Sequence, residues 1–227
     1  MPVSLDSSSI GERRCLWCRV ALSSRRRQQR WCSKRCRQTA WRFRGLSVSR
    51  GSDDAPLRLA YADPPYPGKS HYYRGHPDYA GEVDLGKLLD VLSGYDGWAL
   101  STSPAGLGDV RVAQTKGVHL CVWVKTHHAP RAWGPASVWE AVVVKPARVR
   151  LPGPRDALVA SVARGGDEKL IGRKPIAFCA WLFELLGASP VDQFDDLFPG
   201  TGTVARCWSE WCRQAFGDAS CVDPGDV

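Results

Sequence analysis

Residues 57–66 indicate the fold most clearly and read Leu57-Arg58-Leu59-Ala60-Tyr61-Ala62-Asp63-Pro64-Pro65-Tyr66. The first six residues of this stretch are mostly apolar and predict a buried strand. The X-Pro bonds that follow hold the preceding residues extended, so the turn after the strand is rigid. Such a turn can fix a carboxylate, an outward carbonyl and an aromatic ring, which suits a planar ligand that bears an amino group. Asp-Pro-Pro is also an ordinary turn sequence, and the segment alone leaves both interpretations open.

Beyond this stretch, apolar runs alternate with segments of helical periodicity. This alternation predicts an α/β fold with a mostly parallel sheet. The predicted strands are 57–62, 98–102, 118–125, 138–145, 193–197 and 219–222. Three helices are predicted between or after them: one capped by Asp84, one from Pro175 to Gly187, and one that ends before Gly217. The last helix has an apolar face formed by Val204, Cys207, Trp208, Trp211, Cys212 and Phe216.

A second unusual segment follows the strand predicted at 193–197. It reads Asp196-Leu197-Phe198-Pro199-Gly200-Thr201-Gly202-Thr203 and opens the last helix. Its glycines permit a close approach of a ligand to the backbone, as in the nucleotide-binding turn of doubly wound sheets, although the third glycine of that fingerprint is missing. Lys174-Pro175 begins the preceding helix and can bring an ammonium group towards a ligand carboxylate. Taken alone, the glycine segment is also compatible with a structural turn, and Lys174-Pro175 is compatible with an ordinary helix start.

Together the three segments resemble amino-group DNA methyltransferases that use S-adenosylmethionine, and the resemblance covers residues 57–223. Asp63 to Tyr66 matches the catalytic motif usually written D/N/S-P-P-Y, Asp196 to Thr203 matches the methionine-binding motif D-x-F-x-G-x-G, and Lys174-Pro175 matches the short cofactor motif. The catalytic motif comes first, which is similar to the permuted classes, the β class in particular. Residues 71–73, 78–84, 97–103 and 139–140 also resemble small DNA methylases of actinobacterial phages and prophages.

This resemblance implies a Rossmann-like methyltransferase domain with a circularly permuted motif order. The strands that end at Asp63 and Asp196 are expected to lie side by side where the strand order reverses, so that both motifs reach one crevice. The chain ends at Val227, soon after the last predicted strand. We therefore expect the third strand of the sheet to be missing.

The resemblance also implies a role for each motif residue. Asp63 and the Pro64 carbonyl accept the hydrogens of an exocyclic adenine amine, Pro65 stiffens the turn, and Tyr66 stacks on an adenine flipped out of the duplex. The residues expected to contact S-adenosylmethionine are Asp63, Lys174, Asp196, Phe198, Gly200, Gly202 and Thr203, with Asp223 at the ribose hydroxyls.

The expected activity is site-specific transfer of a methyl group to N6 of adenine in DNA. Aspartate at position 63 favours adenine over N4 of cytosine, and the Pro-Cys dipeptide of cytosine C5 methyltransferases does not occur. Methylation of cytosine N4 in DNA and of adenine N6 in RNA stay open as alternatives. So does a catalytically silent, zinc-dependent DNA-binding protein on a methyltransferase scaffold.

Basic residues are concentrated at the start of the chain. The 227 residues include 31 Lys or Arg and 23 Asp or Glu, a net charge of +8. Residues 1–50 hold 13 of the basic and two of the acidic residues, a net +11, so the remaining 18 basic and 21 acidic residues give −3. We predict a basic module at 1–45, a linker at 46–56 and a methyltransferase domain at 57–227. No export signal or long apolar span is evident, and a cytoplasmic protein of a bacterial cell or its phage is expected.

Four cysteines in this basic module have the spacing of a metal site. Cys15, Cys18, Cys32 and Cys36 form C-x2-C and C-x3-C pairs separated by 13 residues, which suits one structural zinc ion. Only six of the 45 residues of the module are Val, Leu or Ile, too few for an apolar core, so the metal would have to supply its folding energy. A disordered basic tail is the alternative. The five other cysteines, at 121, 179, 207, 212 and 221, are expected to be small core residues.

A helix that Ser33 can cap is predicted to run to Gly45. The helix contains Arg35, Arg37, Arg42 and Arg44, with aromatic residues between them. These arginines are predicted to contact the phosphates and bases of nucleic acid. A solvated face of a protein-binding module is the alternative. Tyr72 and Tyr73, which follow the catalytic motif, are expected to contact DNA from a lid-like loop, although a plain surface loop fits equally well.

Overall fold

The structure is a computed structural model of the whole chain, and it describes residues 15, 22, 29–34, 36–38, 55–75, 81–109, 116–126, 134–149, 153–162 and 173–216. The chain divides into two compact units, Met1–Gly45 and Leu46–Val227. None of the helices in these described ranges has the length and apolar character needed to cross a membrane.

The second unit is built on a six-stranded sheet. Its strands in chain order are β1 (Arg58–Ala62), β2 (Gly97–Thr102), β3 (His119–Lys125), β4 (Trp139–Lys145), β5 (Ala157–Ala160) and β6 (Gln193–Asp196). They are arranged in the order β5-β3-β4-β2-β1-β6. Only β4 runs against the other five, because its pairings with β2 and β3 are antiparallel whereas β1–β2, β1–β6 and β3–β5 are parallel. The predicted α/β fold with a mostly parallel sheet is confirmed.

Five of the predicted strands occur within one residue of their expected bounds. The sixth, at 219–222, lies outside the described residues. Strand β5 was not predicted, because it is a four-residue edge strand in a region rich in Pro, Gly and Arg, and two of its residues, Ala157 and Val159, are exposed. Its four residues, ALVA, are all apolar, but a run this short among Pro, Gly and Arg residues does not by itself identify a strand.

Strand β1 occupies the interior of the sheet, and Leu59 to Ala62 are all buried. Because successive side chains of a strand point to opposite faces, this run requires cover on both sides. On one face, Ala60 and Ala62 pack with residues of helix α1 (Leu85–Ser93) in a single apolar cluster. On the other face, Tyr61 packs against Phe178 of helix α2 (Ile176–Leu186), with ring centroids 5.9 Å apart.

The three long helices begin and end where the sequence indicates. Asp84 caps α1 by accepting hydrogen bonds from the backbone N–H groups of Gly86 and Lys87 at 2.9 and 3.2 Å. Pro175 stands at the N-cap of α2, and Gly187 ends that helix with a φ of 64°. A side chain at Gly187 would also collide with the backbone of Arg148, so both conformation and space require glycine there.

Helix α3 (Thr203–Phe216) packs against α2 and β6 on the face opposite α1. The members of its predicted apolar face whose side chains the structure describes are buried: Val204, Cys207, Trp208, Trp211 and Cys212. Trp208 stacks on Phe194 of β6 with ring centroids 4.8 Å apart. The contact fixes the direction in which α3 leaves the end of β6.

An ion pair joins the amino ends of β1 and β6. The Arg148 guanidinium donates to both carboxylate oxygens of Asp192, at 2.6 and 2.8 Å, and the Asp192 side chain is fully buried. The same carboxylate accepts from the backbone N–H groups of Leu57 and Ser189 at 3.0 and 2.7 Å. Asp192 therefore ties three backbone segments together.

We expect Asp192→Ala to lower the free energy of unfolding by about 3 to 5 kcal/mol, because it removes the buried carboxylate that pairs with Arg148 and accepts from two backbone N–H groups. Asp195→Ala is the matched control, since its carboxylate is 43% exposed, its ion pair with Arg58 is long, at 3.9 Å, and it accepts one hydrogen bond, from the Tyr95 hydroxyl at 2.8 Å. Asp195→Ala should lower the free energy of unfolding by no more than about 1 kcal/mol. Urea unfolding followed by circular dichroism measures both, and equal losses would contradict the assignment.

Candidate active site and metal site

The two motif-bearing strands are neighbours in the sheet. Tyr61 of β1 lies opposite Asp196 of β6 in parallel register, and the backbone N–H of Leu197 donates to the Tyr61 carbonyl at 2.9 Å. Asp63 follows Tyr61 by two residues, so both motifs leave the same carboxyl edge of the sheet. The prediction that these strands lie side by side is confirmed. Helix α1 covers one face beside β1 and helices α2 and α3 cover the other, which is the arrangement of a ligand crevice in open α/β sheets.

The turn after β1 holds its functional groups in fixed positions. Pro64 is buried, and none of the residues that the structure describes donates a hydrogen bond to its carbonyl oxygen. Burial raises the pKa of Tyr66, and the charges of Asp63 and Glu140 raise it further. Tyr66 is therefore a neutral phenol at pH 7. The turn thus presents a carboxylate, a carbonyl oxygen and an aromatic ring.

The Lys174 side chain is buried between two carboxylates. Its ammonium lies 3.0 Å from each carboxylate oxygen of Asp63 and 2.7 Å from Oε2 of Glu140. The Lys174 side chain is only 4% exposed, and its ammonium also lies over the rings of Trp123 and Phe178, at 5.5 and 5.4 Å from their centroids. A role for Lys174 on a ligand carboxylate stays a prediction; in the structure its partners are protein carboxylates.

Glu140 and Lys125 are members of the site to which the sequence analysis gave no role, although residues 139–140 were part of the resemblance. Lys125 Nζ lies 2.5 Å from Oε1 of Glu140, and Lys174 contacts the other oxygen of the same carboxylate. Glu140 belongs to the reversed strand β4, whose first residues therefore lie at the carboxyl edge of the parallel strands. The available signal in the sequence was an acidic residue near the start of a largely apolar predicted strand, and the structure shows that this residue is only 4% exposed. Such a residue requires a buried partner.

The charges of the cluster determine its protonation. Burial raises the pKa of Asp63 and Glu140 adds to this effect, while Lys174 opposes it. Burial alone would lower the pKa of Lys174, but the two carboxylates outweigh it and the pKa is raised. Burial alone would raise the pKa of Glu140, but Lys174 and Lys125 lower it. Lys174 and Glu140 are therefore charged at neutral pH, and Asp63 is the more easily protonated of the two carboxyl groups that flank Lys174.

The turn after β6 leaves open space beside its glycines. Gly200 and Gly202 have φ angles of 48° and 64°, in the region that favours glycine. An added Cβ at Gly200 would meet nothing nearer than the Phe198 carbonyl at 3.9 Å, and one at Gly202 nothing nearer than Arg206 at 4.0 Å. The backbone of this turn is therefore accessible to a ligand. Thr203 begins α3 directly behind it and is buried.

Asp196 carries a buried carboxylate oxygen at the base of this turn. Among the residues that the structure describes, none donates a hydrogen bond to its Oδ1. Burial and the charge of Asp63 raise the pKa of Asp196 to about 6, although the backbone N–H groups of Ala205 and Phe198 act to lower it. A buried acceptor without a donor carries a cost that a ligand donor can remove. Asp223, the other predicted acidic contact, lies outside the described residues.

Three of the four predicted metal ligands lie together. The Sγ atoms of Cys15, Cys32 and Cys36 are all within 4.8 Å of one another, and this group can hold a metal ion. Ser33 begins the helical turn between the last two, because its hydroxyl accepts from the backbone N–H of Cys36 at 3.1 Å. Cys18, the fourth predicted ligand, lies outside the described residues.

The predicted nucleic-acid contacts are described only in part. Arg37 is exposed on the helical turn after Ser33, whereas Arg35, Arg42 and Arg44 lie outside the described residues. Tyr72 and Tyr73 belong to a short 3-10 turn at Ser70–Tyr73. The Tyr72 ring is 61% exposed, with Lys69 Nζ at 5.6 Å from its centroid. Nucleic-acid binding by these residues stays a prediction.

The carboxyl edge therefore combines a rigid carboxylate–carbonyl turn with an open glycine turn and a buried acceptor. No protein-family model matches the sequence, and no curated protein matches it. The chemistry of the site is therefore inferred from its own residues.

We expect Asp196→Asn to stabilise the protein in a pH-dependent way. Between about pH 4 and pH 6 the folded chain retains a proton on Asp196 that the unfolded chain has lost, because the pKa is raised from 3.8 to about 6. Wild-type stability should therefore fall as the pH rises through this window and stay lowered above it. The variant, which lacks this titration, should gain up to about 3 kcal/mol relative to wild type between pH 4 and pH 7.

Urea unfolding at several pH values measures this difference. Asp195→Asn controls for the loss of one carboxylate from the same strand. If both variants respond alike to pH, the stability effect does not come from the buried oxygen of Asp196.

For the cysteine cluster, we expect purified protein to hold about one zinc ion per chain. Cys32→Ser removes one thiolate and should lower the bound metal to less than about half of that value. Cys121→Ala, at a buried cysteine in β3, should retain it. Elemental analysis by mass spectrometry gives both the amount and the identity of the metal. Equal metal in both variants would contradict the assignment.

Proposed function

We propose that the protein is an S-adenosylmethionine-dependent methyltransferase with a Rossmann-like domain, and that it transfers a methyl group to N6 of adenine in DNA. One observation carries the proposal. The rigid turn that holds Asp63 and the open turn at Gly200 and Gly202 leave adjacent parallel strands at the same edge of the sheet. Their motifs are more than 130 residues apart in the sequence. Both sets of groups can therefore act on one pair of reactants.

The turn after β1 has the groups that amine activation requires. The lone pair of an adenine amine is delocalised into the ring, so the nitrogen attacks only when its hydrogens are drawn out of the ring plane. Asp63 and the Pro64 carbonyl are two acceptors on a rigid turn, and both can accept from the same amino group. Because burial raises the pKa of Asp63, its carboxylate is a stronger proton acceptor than an exposed one. Tyr66, a neutral ring beside them, suits stacking on the flipped base.

The turn after β6 fits the proposed cofactor. S-adenosylmethionine would supply an electrophilic methyl group on a sulfonium centre and would bring an amino acid moiety with an ammonium group. Asp196 offers a buried oxygen that lacks a donor among the described residues, which an ammonium group can provide. Gly200 and Gly202 leave room for close approach, and Phe198 and Thr203 flank the same turn.

The charges at the edge suit both ends of an amino acid moiety. Lys125, Glu140, Lys174 and Asp63 neutralise one another in pairs. Asp196, when ionised, provides a negative charge for an ammonium group. The guanidinium groups of Arg173 and Arg206 lie 3.3 and 3.4 Å from the Thr203 hydroxyl in the same turn and provide positive charges for a carboxylate.

The basic unit supports a nucleic-acid substrate. Residues 1–50 carry a net charge of +11, whereas the rest of the chain carries −3. An excess of this size attracts a polyanion. We propose that the cysteine cluster binds structural zinc and that this unit contributes to DNA binding.

The proposal is tested by incubating the protein with methyl-labelled S-adenosylmethionine and with duplex DNA or RNA. We expect label in DNA, on N6 of adenine after digestion. Asp63→Ala should lower the rate at least about 100-fold, because it removes the amine acceptor. Asp90→Ala, an exposed aspartate on α1, is the control and should retain full activity.

Each other result points to a different alternative. Label in RNA alone would identify an RNA methyltransferase, and label on N4 of cytosine would change the target base. Label in neither polymer would favour the silent DNA-binding protein. Equal rates for Asp63→Ala and wild type would exclude Asp63 from the reaction.

A further inference from the structure

Four side chains of alternating charge form one continuous series at the carboxyl edge. Lys125 contacts Glu140 at 2.5 Å, Glu140 contacts Lys174 at 2.7 Å, and Lys174 contacts Asp63 at 3.0 Å. Each of the four comes from a different element: β3, β4, the start of α2 and the end of β1. The series therefore connects Lys125, on β3, to the Asp63 carboxylate in the proposed catalytic motif.

The inner members of this series have little freedom to move. The Glu140 and Lys174 side chains are 6% and 4% exposed. The aromatic rings of Trp123 and Phe178 lie beside the Lys174 ammonium. Trp123 is itself fixed, since its Nε1 donates to the Ala160 carbonyl at 3.1 Å. Lys174 can therefore strengthen its contact with one carboxylate only by weakening its contact with the other.

We propose that Glu140 is a positioning residue for Asp63: it shares the Lys174 ammonium with Asp63, and Lys125 sets how strongly it does so. The proposal rests on the proposed function, in which Asp63 contacts the substrate amine. When Glu140 is balanced by Lys125, it leaves Lys174 able to orient both oxygens of Asp63. When that balance is lost, Glu140 competes more strongly for Lys174.

The charges near Asp63 predict the direction in which its pKa should change in each variant. The titratable groups around Asp63 are Lys174, Glu140, Lys125, Tyr61, Tyr66 and Asp196. Of these, Glu140 raises the pKa of Asp63, whereas Lys125 lowers it. Removing the Glu140 charge alone and removing the Lys125 charge alone should therefore shift the pKa of Asp63 in opposite directions. Removing both charges should leave that pKa nearly unchanged.

The test is a carbon-13 NMR titration of the full-length protein labelled at aspartate carboxyl carbons. The Asp63 signal is identified by its loss in Asp63→Asn. We expect Glu140→Gln to lower the pKa of Asp63 by about one pH unit and Lys125→Met to raise it by a similar amount. The double variant should lie close to wild type. If Glu140→Gln alone does not fold, Lys125→Met and the double variant, which differ only in the Glu140 charge, supply the same comparison.

The titration needs no methyl transfer, so its result is separate from that of the proposed function. Shifts of the same sign in both single variants, or no shift in either, would overturn the positioning role even in an active enzyme. If the wild type transfers no methyl group, the proposed function fails whatever the titration gives. In an active enzyme, the acid limb of the rate against pH should move with the Asp63 pKa in each variant. An acid limb that stays fixed would overturn the link to the reaction.

Discussion

The ammonium of Lys174, buried between the carboxylates of Asp63 and Glu140, is the interaction on which the carboxyl edge of the sheet depends. It joins the start of α2 to the end of β1 and to β4. Without it, two acidic side chains would share a buried space, and the cost of an unpaired buried charge is several kcal/mol. Asp63 is thus held by an ion pair as well as by its prolines. A carboxylate fixed in this way loses little entropy when a substrate binds, which is the condition for an effective acceptor.

The reversed direction of β4 determines which residues reach this edge. In an all-parallel sheet, only residues at the carboxyl ends of strands would lie there. Because β4 runs the opposite way, Glu140 near its beginning lies beside Trp123 and near Lys125 at the end of β3. At β3 and β4, the edge therefore carries the paired charges of Lys125 and Glu140. At β1 and β6, it carries the two turns that can face reactants. Lys174 connects the two parts.

The two units of the chain are stabilised in different ways. The sheet unit buries aromatic and aliphatic residues on both faces of β1, and the Arg148–Asp192 pair joins its strands at the opposite edge from the site. The first unit has only six Val, Leu or Ile residues among its 45, but it brings Cys15, Cys32 and Cys36 within ligand distance of one another. A metal ion bound by these thiolates would supply folding energy that so few aliphatic side chains cannot.

From the sequence alone came the strands of the sheet except β5, the helix ends at Asp84, Pro175 and Gly187, and the grouping of Cys15, Cys32 and Cys36. Each of these depends on local spacing, capping or an apolar run, which are properties of nearby residues in the chain. The adjacency of the two motifs was expected from the family resemblance, since no local pattern relates residues more than 130 positions apart. The tertiary structure was needed for the partners of Lys174, the contacts of Glu140 with Lys125 and Lys174, and the buried Oδ1 of Asp196, to which none of the described residues donates. Those features depend on which buried charges meet across separate strands. The reversed strand and the packing of α2 set that pairing, and neither has a local signature in the sequence.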